Sequence, residues 1–294
     1  MQIGVAGLGR MGAAIATRLM EMGHQLVVWN RTHGKAEALP KASAATTPAA
    51  LASRVEVIIT ILTDPAAIEA VYSGAQGLLS GDIKGKLFIE MSTVPPATQI
   101  ALAGKVRAMG AAFVDCPVGG TIGPALQGKL IGLMGALDVD AARAKPILDQ
   151  LCRRLEHCGP VGTGCTMKLA INLPLMVSWQ AYGEALALCR NVGFEPARLL
   201  ELFADTGGGT NALKLRGPAI AALLAGDDAG AVTFDVDTAR KDMQIMLDEG
   251  RKDGIELPLV ERTLGCFDEL SRKKLGAEDT AMVPAYWAAR RKSG

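Results

Sequence analysis

The sequence contains few aromatic side chains, few histidines and almost no net charge. Aromatic residues make up 4% of the 294 positions, histidine occurs only at 24, 33 and 157, and the formal net charge is +1. So few aromatic side chains argue against platforms on which bases stack, and a neutral chain has no basic field to attract a polyanion. A nucleic-acid partner is therefore not expected, and Arg290-Arg291-Lys292 predicts only a solvated tail.

Metal-binding, membrane-spanning and export patterns are lacking as well. The six cysteines include no CxxC pair, so the ligand spacing of a zinc site is absent and no metal site is predicted. No uninterrupted apolar run reaches the length that crosses a bilayer, so no membrane segment is predicted. No basic region followed by a short apolar stretch comes after Met1, and we expect a cytoplasmic protein with reduced thiols.

What the sequence does contain is a dinucleotide-binding pattern in its first 32 residues. An apolar strand pattern runs into Gly7-Leu8-Gly9-Arg10-Met11-Gly12, followed by helical spacing over 11–22 and a second strand over 25–29. In this arrangement Gly7 permits the tight turn, Gly9 lets the backbone approach a pyrophosphate, and Gly12 lets the helix pack closely on the strand. The amides at the helix N-terminus then face the phosphates.

The end of the second strand indicates which dinucleotide is bound. An NAD site usually has a carboxylate there, which accepts from the ribose 2′-hydroxyl and repels a 2′-phosphate. This chain has Asn30-Arg31-Thr32, with Lys35 close behind. A guanidinium and a hydroxyl suit a phosphate monoester, so NADPH is the predicted cofactor. Two alternatives stay open at this point. Either Asn30-Arg31-Thr32 belongs to a solvated loop in which Arg31 contacts no ligand, or the protein uses NADH as well as NADPH.

The pattern of elements changes part-way along the chain. Strand and helix patterns alternate up to a glycine-rich segment at 159–164, and only long helical patterns follow it. Alternation predicts an α/β Rossmann domain with a mostly parallel, doubly wound sheet, here at 1–162. The remainder predicts an all-α domain at 163–294, joined by a long interdomain helix. The predicted strands are 55–62, 86–90, 112–114, 130–134 and 153–158, and the predicted helices are 96–109, 138–151, 165–191, 196–205, 211–225, 237–253 and 258–274.

Two places carry candidate chemistry. Lys168 and Asn172 are four residues apart on a largely apolar helix, so they share a face. A lysine can protonate a carbonyl oxygen as hydride arrives, and an amide can hold the substrate, although a solvated lysine and an asparagine that caps a loop fit the spacing equally well. The run Asp115-Cys116-Pro117-Val118-Gly119-Gly120-Thr121 could bind a small carboxylate through backbone amides or form a plain wide turn.

Six motifs in a consistent order decide between these alternatives. They are GLGRMG at 7–12, WNRT at 29–32, MST at 91–93, DCPVGGT at 115–121, GTGCTMKLAIN at 162–172 and Lys241-Asp242. With them the chain resembles, over nearly its whole length, the β-hydroxyacid dehydrogenase family, whose members include 3-hydroxyisobutyrate dehydrogenases and semialdehyde reductases. The resemblance implies an NAD(P)-dependent enzyme that moves hydride between the nicotinamide and a small carboxylate-bearing aldehyde, ketone or hydroxyacid, and a homo-oligomer.

The resemblance also implies residue roles. It assigns Lys168 as catalytic acid or base and Asn172 as a substrate-positioning residue, with Thr93 and Lys241 at the cofactor. The strand-end loop at Leu62-Thr63 is expected to contact the cofactor too, because ligands lie at the carboxyl ends of parallel strands. The residues expected to bind the substrate are Ser92, Gly119, Gly120, Thr121 and Phe234.

The chain departs from the family pattern near the expected pocket. Gly119 replaces a serine that often helps bind the substrate carboxylate, and Pro174 should kink the helix just after Asn172. The segment 283–287 follows no family pattern that we can align. Two alternatives therefore stay open: an imine reductase of the same architecture, against which Lys168 counts, and a non-catalytic nucleotide-binding scaffold.

Overall fold

The computed structural model describes residues 1–39 and 41–290, so Arg291 and Lys292 of the predicted basic tail lie outside the described residues. The chain divides into two compact units, Met1–Lys168 and the unit that begins at Leu169. The division falls within one long helix, slightly beyond the predicted boundary between 162 and 163. Each unit has its own apolar core.

One twisted sheet forms the centre of the first unit. Its strands follow the order β3-β2-β1-β4-β5-β6-β8-β7, and β9 pairs with β8. The first six are parallel neighbours, whereas β8 runs antiparallel to β6 and β7. In chain order the strands are β1 (Gln2–Ala6), β2 (Gln25–Trp29), β3 (Ser43–Ala44), β4 (Val57–Thr60), β5 (Leu87–Glu90), β6 (Ala112–Asp115), β7 (Val118–Gly119), β8 (Leu130–Gly135) and β9 (Cys152–Gly159).

The pairing of β1 with both β2 and β4 marks the switch point of the sheet. Ligands bind in the crevice outside the carboxyl ends of the strands at such a point. The loops that follow β1, β2, β4 and β5 therefore belong to one edge of the sheet. The predicted nucleotide motifs lie in these loops.

Helices cover both faces of this sheet. The helix after β1 shows why: its buried residues Ala14, Ile15 and Leu19 recur at helical spacing and pack on the sheet. Proline at the first helical position starts three of the others, where the missing amide has no partner in any case. The helices are α1 (Arg10–Glu21), α2 (Gly34–Glu37), α3 (Pro48–Ala52), α4 (Pro65–Ser73), α5 (Pro96–Ala108), α6 (Ile122–Leu126) and α7 (Asp138–Leu148).

In the described residues of the second unit the regular elements are all helices, joined by loops, apart from an isolated bridge between Asp235 and Asp279. Its core is lined by Met176, Trp179, Met243 and Phe267 among others. Within the described residues no helix is long and apolar enough to cross a membrane. The helices are α8 (Thr163–Leu188), which begins in the first unit, α9 (Pro196–Ala204), α10 (Asn211–Ala225), α11 (Val236–Lys252), α12 (Pro258–Arg272) and α13 (Met282–Ala289).

The predicted fold class is confirmed: a Rossmann unit with a mainly parallel sheet precedes an all-α unit, and α8 contributes to both. The predicted elements did not include strands β3 and β7 or helices α2, α3, α4, α6 and α13. Strand β7 has only two residues, of which Val118 favours a strand and Gly119 disfavours one, so the pairing with β8 defines it. The helix α8 runs on through Pro174, and the kink there stays a prediction.

Candidate active site

The glycine loop between β1 and α1 has the shape that a pyrophosphate requires. Gly7 adopts a φ of 98°, and a Cβ there would collide with the carbonyl oxygen of Ile61. A Cβ on Gly12 would collide with the carbonyl oxygen of Gly7, whereas nothing lies within 4 Å of the Cβ position at Gly9, which is exposed. The loop thus leaves an open cradle at the N-terminus of α1, whose first turn contains no acidic residue. These residues fit a dinucleotide phosphate.

The Asn30 side chain joins this cradle to the loop after β2. Its Oδ1 accepts from the Leu8 amide at 2.9 Å, and its Nδ2 donates to the Thr32 carbonyl at 3.1 Å. Arg31, Thr32 and Lys35 are exposed beside it. Asn30 therefore fixes the backbone of both loops, and the exposed side chains that follow it supply a cation and a hydroxyl.

Buried polar contacts organise the loops after β4 and β5. The Leu62 amide donates to Ser92 Oγ at 2.7 Å, and Ser92 in turn donates to the Glu90 carboxylate. Ser92 is only 2% exposed. The Ser92 hydroxyl therefore already donates one hydrogen bond and accepts another within the protein. This geometry favours a positioning role for Ser92 over the substrate contact expected from the sequence. Thr93 is half-buried and Thr63 is exposed, at the same edge of the sheet.

Glu90 is the centre of this polar network and was not predicted to matter. It is fully buried at the end of β5, where it accepts from the Ser92 amide, from Ser92 Oγ and from Gln99 Nε2. Thr60 Oγ1 lies 3.4 Å away and also contacts the Tyr72 hydroxyl at 2.8 Å. Burial raises the pKa of Glu90 to about 7, although the bonds from Ser92 and Gln99 favour the charged form.

The raised pKa makes a prediction about stability. Because the folded state holds a proton on Glu90 more tightly than the unfolded chain does, this group lowers the free energy of unfolding as pH rises from about 4.5 to about 7. Glu90→Gln removes the titration. The stability difference, wild type minus variant, is expected to fall over this window by on the order of 3 kcal/mol at most, since one pKa unit corresponds to about 1.4 kcal/mol.

Urea unfolding of both proteins at pH values across this window measures the difference. Glu56→Gln, at an exposed carboxylate, is the control, and its curve is expected to parallel the wild type. Parallel curves for Glu90→Gln as well would show that Glu90 does not titrate in this window.

The predicted carboxylate-binding run is only partly a loop. Gly119 ends strand β7 and pairs with Ile131 of β8, while Gly120 is exposed with a φ of 123°. Thr121 is half-buried and precedes the short helix α6. The plain turn that was left open from the sequence is therefore a short antiparallel strand pair. Residues 116–117 link β6 to β7, and Gly120 and Thr121 follow β7 outside regular structure, where they can present backbone amides and a hydroxyl.

Helix α8 carries the two residues predicted to act on the substrate. Lys168 is half-buried, and Asn172 is 5% exposed one turn later. Within the second unit Asn172 Nδ2 donates to Asp242 Oδ2 at 3.0 Å, and Lys241 Nζ lies 3.1 Å from Asp242 Oδ1. The nearly inaccessible Asp242 therefore orients the Asn172 amide. Phe234 is half-buried at the edge of the same helical core.

Lys241 forms an ion pair with its neighbour in sequence. Asp237 lies four residues before Lys241, a spacing that suits a helical ion pair. In the structure Asp237 contacts Arg240 at 2.9 Å instead, and Lys241 contacts the buried Asp242. Spacing along the helix alone therefore does not identify the carboxylate that Lys241 contacts.

Comparison with known proteins identifies the family. Residues 2–159 match the NAD binding domain of 6-phosphogluconate dehydrogenase, and residues 162–286 match the NAD-binding domain of NADP-dependent 3-hydroxyisobutyrate dehydrogenase. The chain is 30% identical over 286 residues to glyoxylate/succinic semialdehyde reductase 1 of Arabidopsis thaliana, covering 96% of this chain and 97% of the relative.

The chain belongs to the β-hydroxyacid dehydrogenase family.

Solved structures share the fold of this dehydrogenase. A 3-hydroxyisobutyrate dehydrogenase from Salmonella typhimurium superimposes with a TM-score of 0.86 at 23% identity, covering 97% of this chain and 99% of that one. A reductive aminase from Aspergillus terreus, in complex with NADPH and ethyl levulinate, gives a TM-score of 0.63 at 22% identity, with 97% and 99% coverage. The chain is thus an NAD(P)-dependent oxidoreductase of the hydroxyacid dehydrogenase type.

The dehydrogenase has one buried pair whose partners can be exchanged. Asn172→Asp places a second carboxylate against Asp242, which is 1% exposed, and is expected to lower the free energy of unfolding by on the order of 3 kcal/mol. Adding Asp242→Asn restores one donor and one acceptor, so most of the loss should return. Urea unfolding of the wild type, both single variants and the double variant measures this coupling, and simple additivity of the two changes would contradict it.

Proposed function

We propose that this dehydrogenase is an NADPH-dependent reductase of the aldehyde or ketone group of a small carboxylic acid, and that it also oxidises the corresponding hydroxyacid. The observation that supports this most strongly is the Lys168 and Asn172 pair on α8, in a chain whose glycine loop fits a dinucleotide. A lysine at this position supplies an acid for an oxygen that gains negative charge.

We propose a role for each side chain. A bound nicotinamide cofactor supplies or accepts the hydride. Lys168 gives its proton to the substrate oxygen in reduction and takes it back in oxidation. Asn172, whose amide Asp242 orients, holds the substrate in position. Lys241, beside the same carboxylate, contacts the cofactor.

The substrate carboxylate is proposed to bind at Gly119, Gly120 and Thr121. This segment offers backbone amides, and the Thr121 hydroxyl is proposed to replace the serine that the family often has at the position of Gly119. Phe234 is proposed to line the pocket. Thr63 and Thr93, in the loops after the neighbouring parallel strands β4 and β5, are proposed to contact the nicotinamide half of the cofactor.

The preference for NADPH rests on the loop after β2. Asn30 is neutral, so no carboxylate repels a 2′-phosphate, and exposed Arg31 and Thr32 offer a charge-assisted hydrogen bond and a hydroxyl. We also propose a cytoplasmic homo-oligomer. Six cysteines without a disulfide support a reducing compartment, and Leu188 and Leu215, which are 87% and 78% exposed, support association.

Oxidation of NADPH in the presence of a substrate panel tests the proposal. The panel contains glyoxylate, succinic semialdehyde, methylmalonate semialdehyde, tartronate semialdehyde and a cyclic imine. Turnover of at least one carboxylate-bearing carbonyl compound, with kcat/KM above that for the imine, is expected. Faster reduction of the imine would favour the reductive-amination type of chemistry, and no hydride transfer to any compound would favour a non-catalytic protein.

A further inference from the structure

A carboxylate that the proposed chemistry does not use anchors the start of α8. Asp115 is the last residue of β6 and is fully buried. Its Oδ1 accepts from the Gly162 amide at 2.8 Å, and its Oδ2 accepts from the Cys165 amide at 3.1 Å. The first amides of a helix have no partner inside the helix, so Asp115 caps α8 from the neighbouring sheet.

Two glycines make this close approach possible. A Cβ on Gly135 would collide with Asp115 Oδ1, and a Cβ on Gly164 would lie 2.7 Å from Asp115 Oδ2 and collide with the Leu133 carbonyl oxygen. The same helical turn is also bonded to the loop after β5, because Cys165 Sγ donates to the Ser92 carbonyl at 3.6 Å. The first turn of α8 is therefore fixed against both β6 and the loop that carries Thr93.

Capping a helix with a buried carboxylate carries a desolvation cost. Burial raises the pKa of Asp115 to about 6 despite the two amide bonds, and Glu90, its register partner on β5, is a second buried carboxyl. A serine or threonine at the N-cap would satisfy an amide without burying a charge. The Asp115 carboxylate therefore fixes the position of the first turn of α8 on the sheet and also affects the stability of the fold.

We propose that Asp115 is a positioning residue for Lys168. Lys168 lies three residues after Cys165, one turn further along the same side of α8. By holding the first turn of the helix on the sheet, Asp115 fixes the place of the Lys168 ammonium relative to the loop of Ser92 and Thr93. The proposal rests on the proposed function, since it takes Lys168 as the proton donor.

The variant Asp115→Asn tests the proposal. The asparagine has the size of the aspartate, but its NH₂ group would face the amide of Gly162 or Cys165, where the carboxylate accepts a hydrogen bond. We expect kcat to fall about 10- to 100-fold, as for a misplacement of about 1 Å, while the Kd for NADPH is unchanged. The kinetic isotope effect with NADPH deuterated at the transferred hydrogen is expected to equal or exceed that of the wild type.

Asp140→Asn is the matched control. Asp140 is a second buried aspartate of the same unit, 7% exposed, with Oδ2 placed 3.3 Å from Arg107 Nη2 and 3.4 Å from the Phe113 amide. Replacing the Asp140 carboxylate should lower the midpoint temperature of unfolding, while kcat per mole of folded protein should stay unchanged. If Asp115→Asn behaves as Asp140→Asn does, with a lower thermal midpoint and normal kcat, Asp115 is only structural and the proposal is wrong.

Two further variants complete the experiment. Gly164→Ala displaces the same turn without changing a charge. It is the substitute test if Asp115→Asn does not fold, and normal kcat in Gly164→Ala would then overturn the proposal.

Lys168→Ala separates failure of the proposed function from failure of the positioning role. If it retains kcat, the proposed function and this inference both fail. If it is inactive while Asp115→Asn is fully active, only the positioning role fails.

Discussion

Lys168→Ala is expected to lower kcat for carbonyl reduction by about 10²- to 10⁴-fold, the usual contribution of a positioned acid or base. In the proposed mechanism the half-buried ammonium delivers a proton one turn away from the Asn172 amide. The proposed cofactor cradle consists of the glycine loop and Asn30, so the variant should keep its Kd for NADPH. Steady-state kinetics with the best substrate of the panel and fluorescence titration of NADPH measure both quantities.

An exposed lysine of helix α7 serves as the control. Lys145 lies on α7, pairs with Asp149 at 2.6 Å and is well exposed. Such surface pairs contribute about 0 to 1 kcal/mol, so Lys145→Ala should be active and stable. A Lys168→Ala enzyme with kcat close to the wild type would show that another group moves the proton.

Arg31→Ala is expected to reduce kcat/KM with NADPH by about 10- to 100-fold and to leave kcat/KM with NADH nearly unchanged. A hydrogen bond to a charged group contributes about 1.5–3 kcal/mol, and 1.4 kcal/mol corresponds to a factor of ten. NADH has no 2′-phosphate, so its kcat/KM should not depend on the Arg31 guanidinium. The ratio of the two kcat/KM values, measured at one ionic strength, reports the change.

Asn30→Asp gives the complementary result. The carboxylate can still accept from the Leu8 amide, so the glycine loop keeps its position, while the new charge repels a 2′-phosphate and accepts from a ribose hydroxyl. Activity with NADH should therefore rise relative to NADPH. Arg143→Ala, at an exposed arginine bonded to the Gly85 carbonyl, is the control. Comparable kcat/KM for both cofactors in the wild type would remove the basis of the NADPH preference.

Most long elements could be predicted because each has a periodic pattern of its own. The strand at Gln25–Trp29 agrees with the prediction, and the helix at Asn211–Ala225 does as well. Strand β7 could not be predicted, because two residues have no period and only β8 makes them a strand. Helix α13 was missed since the apolar residues at 282–289 lie on all sides and give no amphipathic pattern.

Candidate site residues could be proposed from the sequence where they share one short motif, as in the glycine loop or on α8. They could not be proposed where the contacts join residues far apart in sequence. Glu90 and Asp115 each end an apolar strand, and an acidic residue in that place usually faces solvent. Asp242 meets Asn172 across 70 positions. The signal that could have drawn attention to Glu90 and Asp115 is their equivalent position on two successive parallel strands.

The crowding around Asp115 also constrains how this protein can change over generations. Asp115, Gly135 and Gly164 lie far apart in the chain, yet the Asp115 carboxylate has its place because neither glycine carries a Cβ. A side chain at either glycine would displace the carboxylate or the helical turn bonded to it. We therefore expect the two glycines to be retained for as long as the aspartate is retained, so that the three positions vary together over generations.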